Sequence, residues 1–346
     1  MTQEDKMMNR PEEDSFSVGE FRPADAQAMV TLFQSVYGDH YPIRTFYNPK
    51  SIIASNTDGG IYSIVARTPS GRIIGATNLF RSEVYENLYE WGAGLVLKEY
   101  RNLGVNASLA DFLHNQFVAS KPDIEELFGE PVCNHTHLQR SCNTFRYLET
   151  GIEVALMPAE AYTMEKSAKG RVATLSVFRC CLSRPHRVFL PCDYEDILRC
   201  IYGRLDDERE IFLSEELPPE ALPTESRISV YESAGVARMF FSQAGKDFAV
   251  RLEGLEDVAR EKKSTVFQVF LNLSQPWVGK TVRVLRERGY FFGSLLPRWF
   301  DGDGLMMQKL DCPPDFENIK LLSDFSKSLL EGIHNDWKRA NAERSG

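Results

Sequence analysis

The stretch Tyr89–Gln116 reads YEWGAGLVLKEYRNLGVNASLADFLHNQ, and it decides the fold that we expect. Its first part, Tyr89–Leu97, is short and apolar and carries Gly92 and Gly94. Glycine inside a strand usually marks a bulge or a close approach by another backbone or a ligand. Apolar residues then recur at helical spacing over Val105–Phe117. The sequence therefore predicts a distorted strand, a tight turn and a helix.

The turn Arg101–Asn106 lies between this strand and this helix. A helix start leaves several backbone N–H groups unpaired and pointing in one direction, and the helix dipole adds partial positive charge. Such a turn can bind phosphate through backbone atoms, and Gly104 would let the ligand approach closely. The pattern predicts an anion site, with an ordinary strand–turn–helix of an α/β domain as the alternative.

This segment resembles the pyrophosphate-binding segment of the GNAT superfamily of N-acetyltransferases, in which a strand is followed by Arg/Gln-x-x-Gly-x-Gly/Ala and a helix. Arg101 and Gly104 match that pattern, whereas Asn106 stands where the family has Gly or Ala. The resemblance implies that acetyl-coenzyme A is bound as a cosubstrate. The cofactor-binding residues that it implies are Leu95, Val96, Leu97, Arg101, Asn102, Leu103, Gly104, Val105 and Asn106.

Composition narrows the function classes. The chain has 346 residues, 43% of them hydrophobic, which is enough for two domains with normal cores. Its net charge of −9 argues against nonspecific binding to nucleic acid or anionic membranes. No apolar run reaches the ~18 residues of a membrane span, and the N-terminus lacks the apolar core of a signal peptide. The seven cysteines are then expected to be reduced cytoplasmic thiols.

The order of predicted elements over Phe16–Pro158 is that of the acetyltransferase fold. We therefore expect an α/β class, mixed with α+β character, with a central, mostly antiparallel sheet flanked by helices. After the anion turn, the prediction places a strand at Pro131–Asn134, a helix at Leu138–Glu149 ended by Gly151, and a strand at Ile152–Leu156.

The second half of the chain echoes the first. Asn134, Gly151 and Pro158 are repeated as Asn272, Gly289 and Pro297, and the first two pairs share one offset. This favours tandem domains, the second degenerate because it lacks the Arg-x-x-Gly turn; a chance echo is the alternative. The predicted segments are a tail (1–15), a cofactor-binding domain (16–160), a degenerate domain (165–312) and an amphipathic helix (316–340). The helix is expected to pack on the second domain or on a partner chain, as in a homodimer.

Three side chains are candidates for the proton transfers of acyl transfer. Tyr147 lies four residues before Gly151, where the family often has the general acid that protonates the leaving thiolate. Glu90 and His135 are candidate bases by position, at the start of the central strand and past the end of its neighbour. The alternatives are a core tyrosine and two plain surface or capping residues. The pair His135-x-His137 has no further ligand at a convincing spacing, so no metal site is predicted.

The function that we expect is acyl-coenzyme A-dependent N-acyl transfer, in which an unidentified amine attacks acetyl-coenzyme A directly in a ternary complex. A catalytically inactive protein that senses coenzyme A or scaffolds a partner is the main alternative, suggested by Asn106. A donor other than acetyl-coenzyme A is a third hypothesis. No substrate-specific motif names the acceptor, and analogy of fold does not name one.

Overall fold

The computed structural model describes residues 15–39, 41, 43–158 and 170–345. The predicted tail lies outside the described residues except for Ser15, and so does Glu165, near which the second domain is expected to start. The chain forms two compact units, Met1–Leu127 and Phe128–Gly346. Strand β5, Glu126–Gly129, spans the boundary between them.

The first unit holds four strands in the antiparallel order β1-β2-β3-β4 and three helices. Its elements are β1 (Ser17–Glu20), α1 (Ala26–Tyr37), α2 (Pro49–Thr57), β2 (Ile61–Arg67), β3 (Ile73–Arg81), β4 (Leu88–Val96) and α3 (Val105–Phe112). Helix α3 continues into one π-helical turn, Leu113–Phe117. This is the strand–turn–helix that the sequence predicts.

Helix α3 packs closely on strand β3 because the strand has a glycine at the contact. A Cβ atom on Gly75 would lie 3.1 Å from the side chain of Val105 and 3.2 Å from that of Leu109. Leu109 is fully buried there, as are Met29 and Phe33 of α1. The apolar faces of α1 and α3 therefore form the core of this unit together with its sheet.

The second unit contains a larger sheet, in the order β7-β6-β13-β14-β12-β11-β10. All neighbours in it are antiparallel except β11 and β12, so the predicted mixed, mostly antiparallel sheet is confirmed. Its strands are β6 (Leu148–Met157), β7 (Val172–Cys180), β10 (Glu225–Tyr231), β11 (Val236–Gln243), β12 (Val266–Asn272), β13 (Phe291–Phe300) and β14 (Gly302–Leu310). Strands β8 (His186–Leu190) and β9 (Arg209–Leu213) form a separate parallel pair.

The helices of the second unit are α4 (His137–Thr144), α5 (Glu195–Tyr202), α6 (Phe248–Glu261), α7 (Val278–Glu287) and α8 (Asp324–Ser345). Asp336 of α8 accepts hydrogen bonds from the Tyr194 hydroxyl, the Arg286 guanidinium and the Phe292 amide at 2.7–2.8 Å. The apolar stripe of α8 thus packs within its own unit. No helix of the described residues is long and apolar enough to cross a membrane.

Two stretches of the second unit have matching elements. Strands β6 and β13 are both ten residues long, at an offset of 143 (291 − 148), and helices α4 and α7 end at the same offset. Each strand has a positive-φ residue at the same point, Ala155 and Arg298, with φ of 55° and 54°. The predicted echo had an offset of 138 (272 − 134) and is therefore out of register.

The role predicted for Gly151 is wrong for a physical reason. Helix α4 ends at Thr144, and Gly151 lies inside β6, where it pairs with Ser294 of β13. A Cβ atom on Gly151 would lie 2.2 Å from the Gly293 carbonyl oxygen. Glycine is required here by the close approach of two strands, and Arg146, with a φ of 59°, takes the left-handed position after the helix.

Three further predictions differ from the structure. The strand expected at Pro131–Asn134 is β5 at Glu126–Gly129, and Val132 makes only an isolated bridge to Thr174. The C-terminal helix begins at Asp324 instead of Phe316. The compact units divide after Leu127 because β6 and β7 pair with strands that come later in the chain. The domain boundary near residue 160 concerns the repeat, and it stays a prediction.

A buried carboxyl group joins three strands of the second unit. Glu153 of β6 accepts hydrogen bonds from Gln268 Nε2 at 2.6 Å and from Arg238 Nη2 at 3.1 Å. Burial, and then the charge of Glu130, raise the pKa of Glu153 to about 8, against the opposing effect of Arg238. The folded protein therefore holds a proton on Glu153 that the unfolded chain releases at lower pH.

We expect Glu153→Gln to alter how stability depends on pH. In the wild type the free energy of unfolding should fall as the pH rises from about 4.5 through about 8, because the folded state binds more protons in that window. The glutamine variant should lack this loss, and the gap should exceed about 1.4 kcal/mol, the equivalent of one pKa unit. Urea unfolding across that range is the measurement, and Glu287→Gln, at an exposed site, is the control. A gap that does not change with pH would contradict the prediction.

Candidate functional site

Strand β4 carries a bulge in its middle. Gly92 pairs with Asn78 and Leu95 with Ala76, so Ala93 and Gly94 together lie opposite the single residue Thr77. Ala93 adopts a φ of 47°, a left-handed conformation that side chains other than glycine rarely take. A bulge interrupts the hydrogen-bond ladder and redirects backbone groups, and bulges are common next to active sites. The predicted distortion of the central strand is therefore present.

An amide network holds this bulge in place. Asn78 is fully buried and donates a hydrogen bond from Nδ2 to the Ala93 carbonyl oxygen at 3.0 Å. Its Oδ1 accepts from Ser63 Oγ at 2.7 Å, and the Ser63 amide donates to Asn56 Oδ1 at 2.9 Å. The sequence analysis missed Asn78. The only signal for it is an amide side chain within an otherwise apolar strand.

The two faces of β4 carry different chemistry. Trp91 points toward the end of α3, where its ring lies 4.6 Å from that of the buried His114, and its Nε1 donates to Thr77 Oγ1 at 2.8 Å. Glu90 and Gly92 lie on the opposite face because successive strand residues alternate. Glu90 Oε1 lies 3.4 Å from the position that a Cβ on Gly92 would take. The candidate base thus lies beside the bulge, on the face away from α3.

The anion turn has the predicted form. Leu97 donates its amide to the Ile74 carbonyl at 2.9 Å, Arg101 Nε donates to the Val96 carbonyl at 3.3 Å, and Gly104 precedes α3 with a φ of 81°. Among the described residues, no atom lies within 4 Å of a Cβ built on Gly104. The first amides of α3 have no partners within the helix, as at any helix start. The space beside Gly104 and these donors fit a phosphate group.

Asn106, the departure from the family pattern, points back at the sheet. Its Oδ1 lies 3.7 Å from where a Cβ on Gly94 would be. The side chain of Asn106 is therefore directed toward the bulge, and not toward the open side of Gly104. A larger residue at position 106 is compatible with phosphate binding for that reason.

The corresponding turn in the second unit is closed by the chain itself. Helix α6 begins at Phe248 after Ala244–Asp247, at the same offset of 143 (248 − 105). Asp247 Oδ1 accepts from the amide and the hydroxyl of Thr224 at 2.9 and 2.7 Å, and a Cβ on Gly245 would lie 2.0 Å from the Leu222 carbonyl oxygen. The Thr224 hydroxyl lowers the pKa of Asp247, which keeps a negative charge where a phosphate would have to bind.

Tyr147 lies after helix α4 and not on it. Its amide donates to the Cys142 carbonyl at 3.0 Å, and its side chain is 2% exposed. At the offset of 143 residues the partner of Tyr147 is Tyr290, and Leu285, which the prediction matched with Tyr147, instead matches Cys142. The premise that Tyr147 sits on the helix is wrong, and its proposed role as an acid rests on the hydroxyl alone. Burial raises the pKa of Cys142 to about 12, so its thiol stays neutral.

His135 lies between β5 and α4. Its Nδ1 is buried and has no hydrogen-bond partner in the described part of the chain, while its ring lies 5.2 Å from that of His137. Within the described ranges, no group of three or more His, Cys, Asp or Glu residues could hold a metal ion. Glu90 and the anion turn belong to the first unit, and His135 and Tyr147 to the second.

No protein-family model and no curated protein matches the sequence. Among solved structures, the chain is similar to the ribosomal-protein-S18-alanine N-acetyltransferase from Escherichia coli, with 14% identity over 49% of this chain and 96% of that one, and a TM-score of 0.37. It is also similar to a putative acetyltransferase from Acinetobacter baylyi, with 16% identity, 48% and 93% coverage, and a TM-score of 0.38. An acetyltransferase of the GNAT family from Staphylococcus aureus covers 48% of this chain, of which 99% of that chain is matched, at 15% identity and a TM-score of 0.33. Because these TM-scores lie below 0.5, the bulge and the turn, and not these likenesses, carry the proposal below.

We expect Asn78→Asp to destabilise the protein through the bulge. The substitution keeps the size of the side chain but places an oxygen where Nδ2 now donates to the Ala93 carbonyl. A buried acceptor that loses its donor costs ~1–3 kcal/mol, which urea unfolding would measure. Asn48→Asp is the matched control, because exposed Asn48 caps α2 by accepting hydrogen bonds and aspartate caps equally well. Equal stability of the two variants would show that Asn78 does not hold the bulge.

Proposed function

We propose that the protein is an acyl-coenzyme A-dependent N-acyltransferase that transfers an acetyl group from acetyl-coenzyme A to an amine. The observation that carries this proposal is the bulged strand β4 followed by the turn whose left-handed Gly104 opens helix α3. It combines a site for a phosphate with a strand distortion one turn away in the same segment. The donor could also carry a longer acyl group, which the same turn would accept.

The turn would bind the diphosphate of the cosubstrate. The amides at the start of α3 would donate to its oxygens, and Arg101 would add positive charge. Leu95, Val96 and Leu97 would line the path from the bulge to the turn, together with Asn102, Leu103 and Val105. Asn106 is directed at Gly94 and would leave the phosphate side open.

The reaction would be a direct transfer within a ternary complex. An amide on the bulge would polarise the thioester carbonyl, and the amine nitrogen would attack its carbon. The carbon–sulfur bond would break, and the thiolate would leave. Glu90 or His135 would take the proton from the amine, and Tyr147 would give a proton to the thiolate. These three roles are proposals, and the two bases are alternatives.

The second part of the chain would be a degenerate copy that binds no coenzyme A. Matching elements at an offset of 143 residues support a duplication. The negative charge of Asp247 and the Leu222 carbonyl occupy the place where its phosphate would bind. The protein would act in the cytoplasm on its amine alone or as a homodimer, without a metal, nucleic acid or membrane.

A protein that senses coenzyme A without catalysis is the second candidate. It is favoured by the position of Tyr147, which lies after α4, and by Cys142, which occupies the helix without an acid of suitable pKa. A sensor would keep the anion turn and need none of the three proton-transfer residues.

We expect one coenzyme A to bind per chain, through the turn at Gly104. Gly104→Ala should weaken acetyl-coenzyme A binding at least tenfold in calorimetry, because the left-handed conformation costs an alanine ~1–2 kcal/mol and the turn would rearrange. Gly71→Ala is the matched control: Gly71 also has a positive φ, of 84°, and an open surrounding, but it lies in the β2–β3 turn. Both variants should lose similar stability, and only the first should lose affinity. A stoichiometry of two, or no detectable binding to the wild type, would refute this proposal.

We expect Tyr147→Phe to reduce turnover by ~10²–10⁴ with almost unchanged cofactor affinity, because a positioned general acid is lost and the ring is kept. Thiol release in a panel of primary amines would first identify an acceptor and then measure the rate. Tyr290→Phe is the control, since Tyr290 holds the equivalent place and donates its hydroxyl to Glu256 at 2.9 Å. It should cost stability but no turnover per folded molecule. Wild-type turnover in Tyr147→Phe would exclude this residue, and tight cofactor binding with no turnover on any amine would favour the sensor.

A further inference from the structure

A continuous run of aromatic rings lies on the face of β4 that carries Glu90. Phe80 pairs with Glu90 across the strands, and its ring lies 3.4 Å from the position of a Cβ on Gly92. The Phe80 ring meets that of Phe46 edge-on at 6.1 Å, and Phe46 stacks on Phe33 at 3.9 Å. The rings therefore extend from the carboxylate beside the bulge into the core under α1.

Two tyrosines extend this run toward the surface. The Tyr41 ring lies 5.2 Å from that of Phe33 and stacks on Tyr37 at 4.7 Å. Burial, then Tyr37 and then the negative charge of Glu90 raise the pKa of Tyr41, which places the Glu90 carboxylate near this ring as well. Tyr41 is held by its own backbone, whose amide donates to the Tyr47 hydroxyl at 2.9 Å.

This arrangement leaves a short path between carboxylate and bulge. Gly92 has no side chain, and Glu90 Oε1 and the Phe80 ring edge both lie over it. The next two residues are Ala93 and Gly94 of the bulge. Glu90, Gly92 and Phe80 all keep part of their surface accessible. A small group bound at Glu90 would lie within one or two residues of the polarised carbonyl that the proposed function requires.

We propose that the acceptor is a primary monoamine carried on an apolar body, aliphatic or aromatic, whose ammonium group is held by Glu90. This inference rests on the proposed function and names the substrate class of that site. The carboxylate stabilises the ammonium, and the faces of Phe80 and Tyr41 add cation–π attraction and apolar contact. The Glu90 charge also serves the reaction, because it holds the nitrogen beside the bulge before its proton is lost.

The same chemistry disfavours two other classes of amine. An amino acid carries its own carboxylate next to the amine, and like charges at such a distance repel. A polyamine would bring a second ammonium among rings that offer no carboxylate, and burying an unpaired charge is costly. The run of rings thus selects for an apolar body, and Glu90 selects for a single positive charge.

Calorimetry with phenethylamine and hexylamine would test the inference, with phenylalanine and spermidine as the contrasting ligands. We expect the two monoamines to bind the protein saturated with coenzyme A at least tenfold more tightly than the contrasting ligands. Glu90→Gln should weaken monoamine binding at least tenfold. Glu86→Gln, which removes the same charge from an exposed site just before β4, should not. Thermal unfolding would confirm that both variants are folded.

The outcomes separate this inference from the function on which it rests. Acetyl transfer to spermidine or phenylalanine in preference to the monoamines would overturn the inference and leave the transferase intact. Monoamine binding that depends on Glu90, without any binding of acetyl-coenzyme A, would support the amine site and refute the transferase. Absence of monoamine binding with and without coenzyme A, or equal affinities in wild type and Glu90→Gln, would overturn the inference.

Discussion

The hydrogen bond from Asn78 to the Ala93 carbonyl is the interaction on which the candidate site depends. A bulge frees backbone groups from the ladder, and a buried carbonyl without a partner is costly. Asn78 satisfies that carbonyl from the neighbouring strand, while Ser63 fixes the orientation of its amide. The bulge can then direct other backbone groups toward a ligand. It also places Gly92 and Glu90 on one face and Trp91 on the other, so the two reactants could approach from opposite sides of β4.

The two turns at the starts of α3 and α6 show how one local structure can have opposite electrostatic properties. Both precede a helix at the same place in the repeat, and both offer the partial positive charge of a helix start. At Gly104 the turn is open, and nearby Arg101 is cationic. At Asp247 a carboxylate already interacts with that positive charge, and Thr224 fixes it with two hydrogen bonds. A phosphate would have to displace a charge that is part of the same chain, which costs both the cap and the loop contacts.

The sequence was a good guide where local chemistry decides the structure. Periodicity and the Gly104 turn predicted the strand–turn–helix, and alternation predicted most strands of the sheet. It failed where distant residues decide. Gly151 has the signature of a helix stop, yet it is glycine because the Gly293 backbone approaches it, 142 residues later (293 − 151). β9 and β14 were missed, and Asn78 and Asp247 act through partners that no short pattern reveals. The register of the repeat is set by backbone conformations at Arg146 and Ala155, which the residue types do not indicate.

That register changes what the first copy can use as an acid. In both copies the residue four places before the left-handed position is apolar or neutral, Cys142 in one and Leu285 in the other. Both copies instead place a buried tyrosine directly after that position, and in the second copy its hydroxyl is already committed to Glu256. A tyrosine kept in both copies has a packing role at the start of β6 and β13, since each begins a ten-residue core strand. Catalysis by Tyr147 would therefore be a use of a structural residue, and its hydroxyl, not its ring, is what could differ between an enzyme and a sensor.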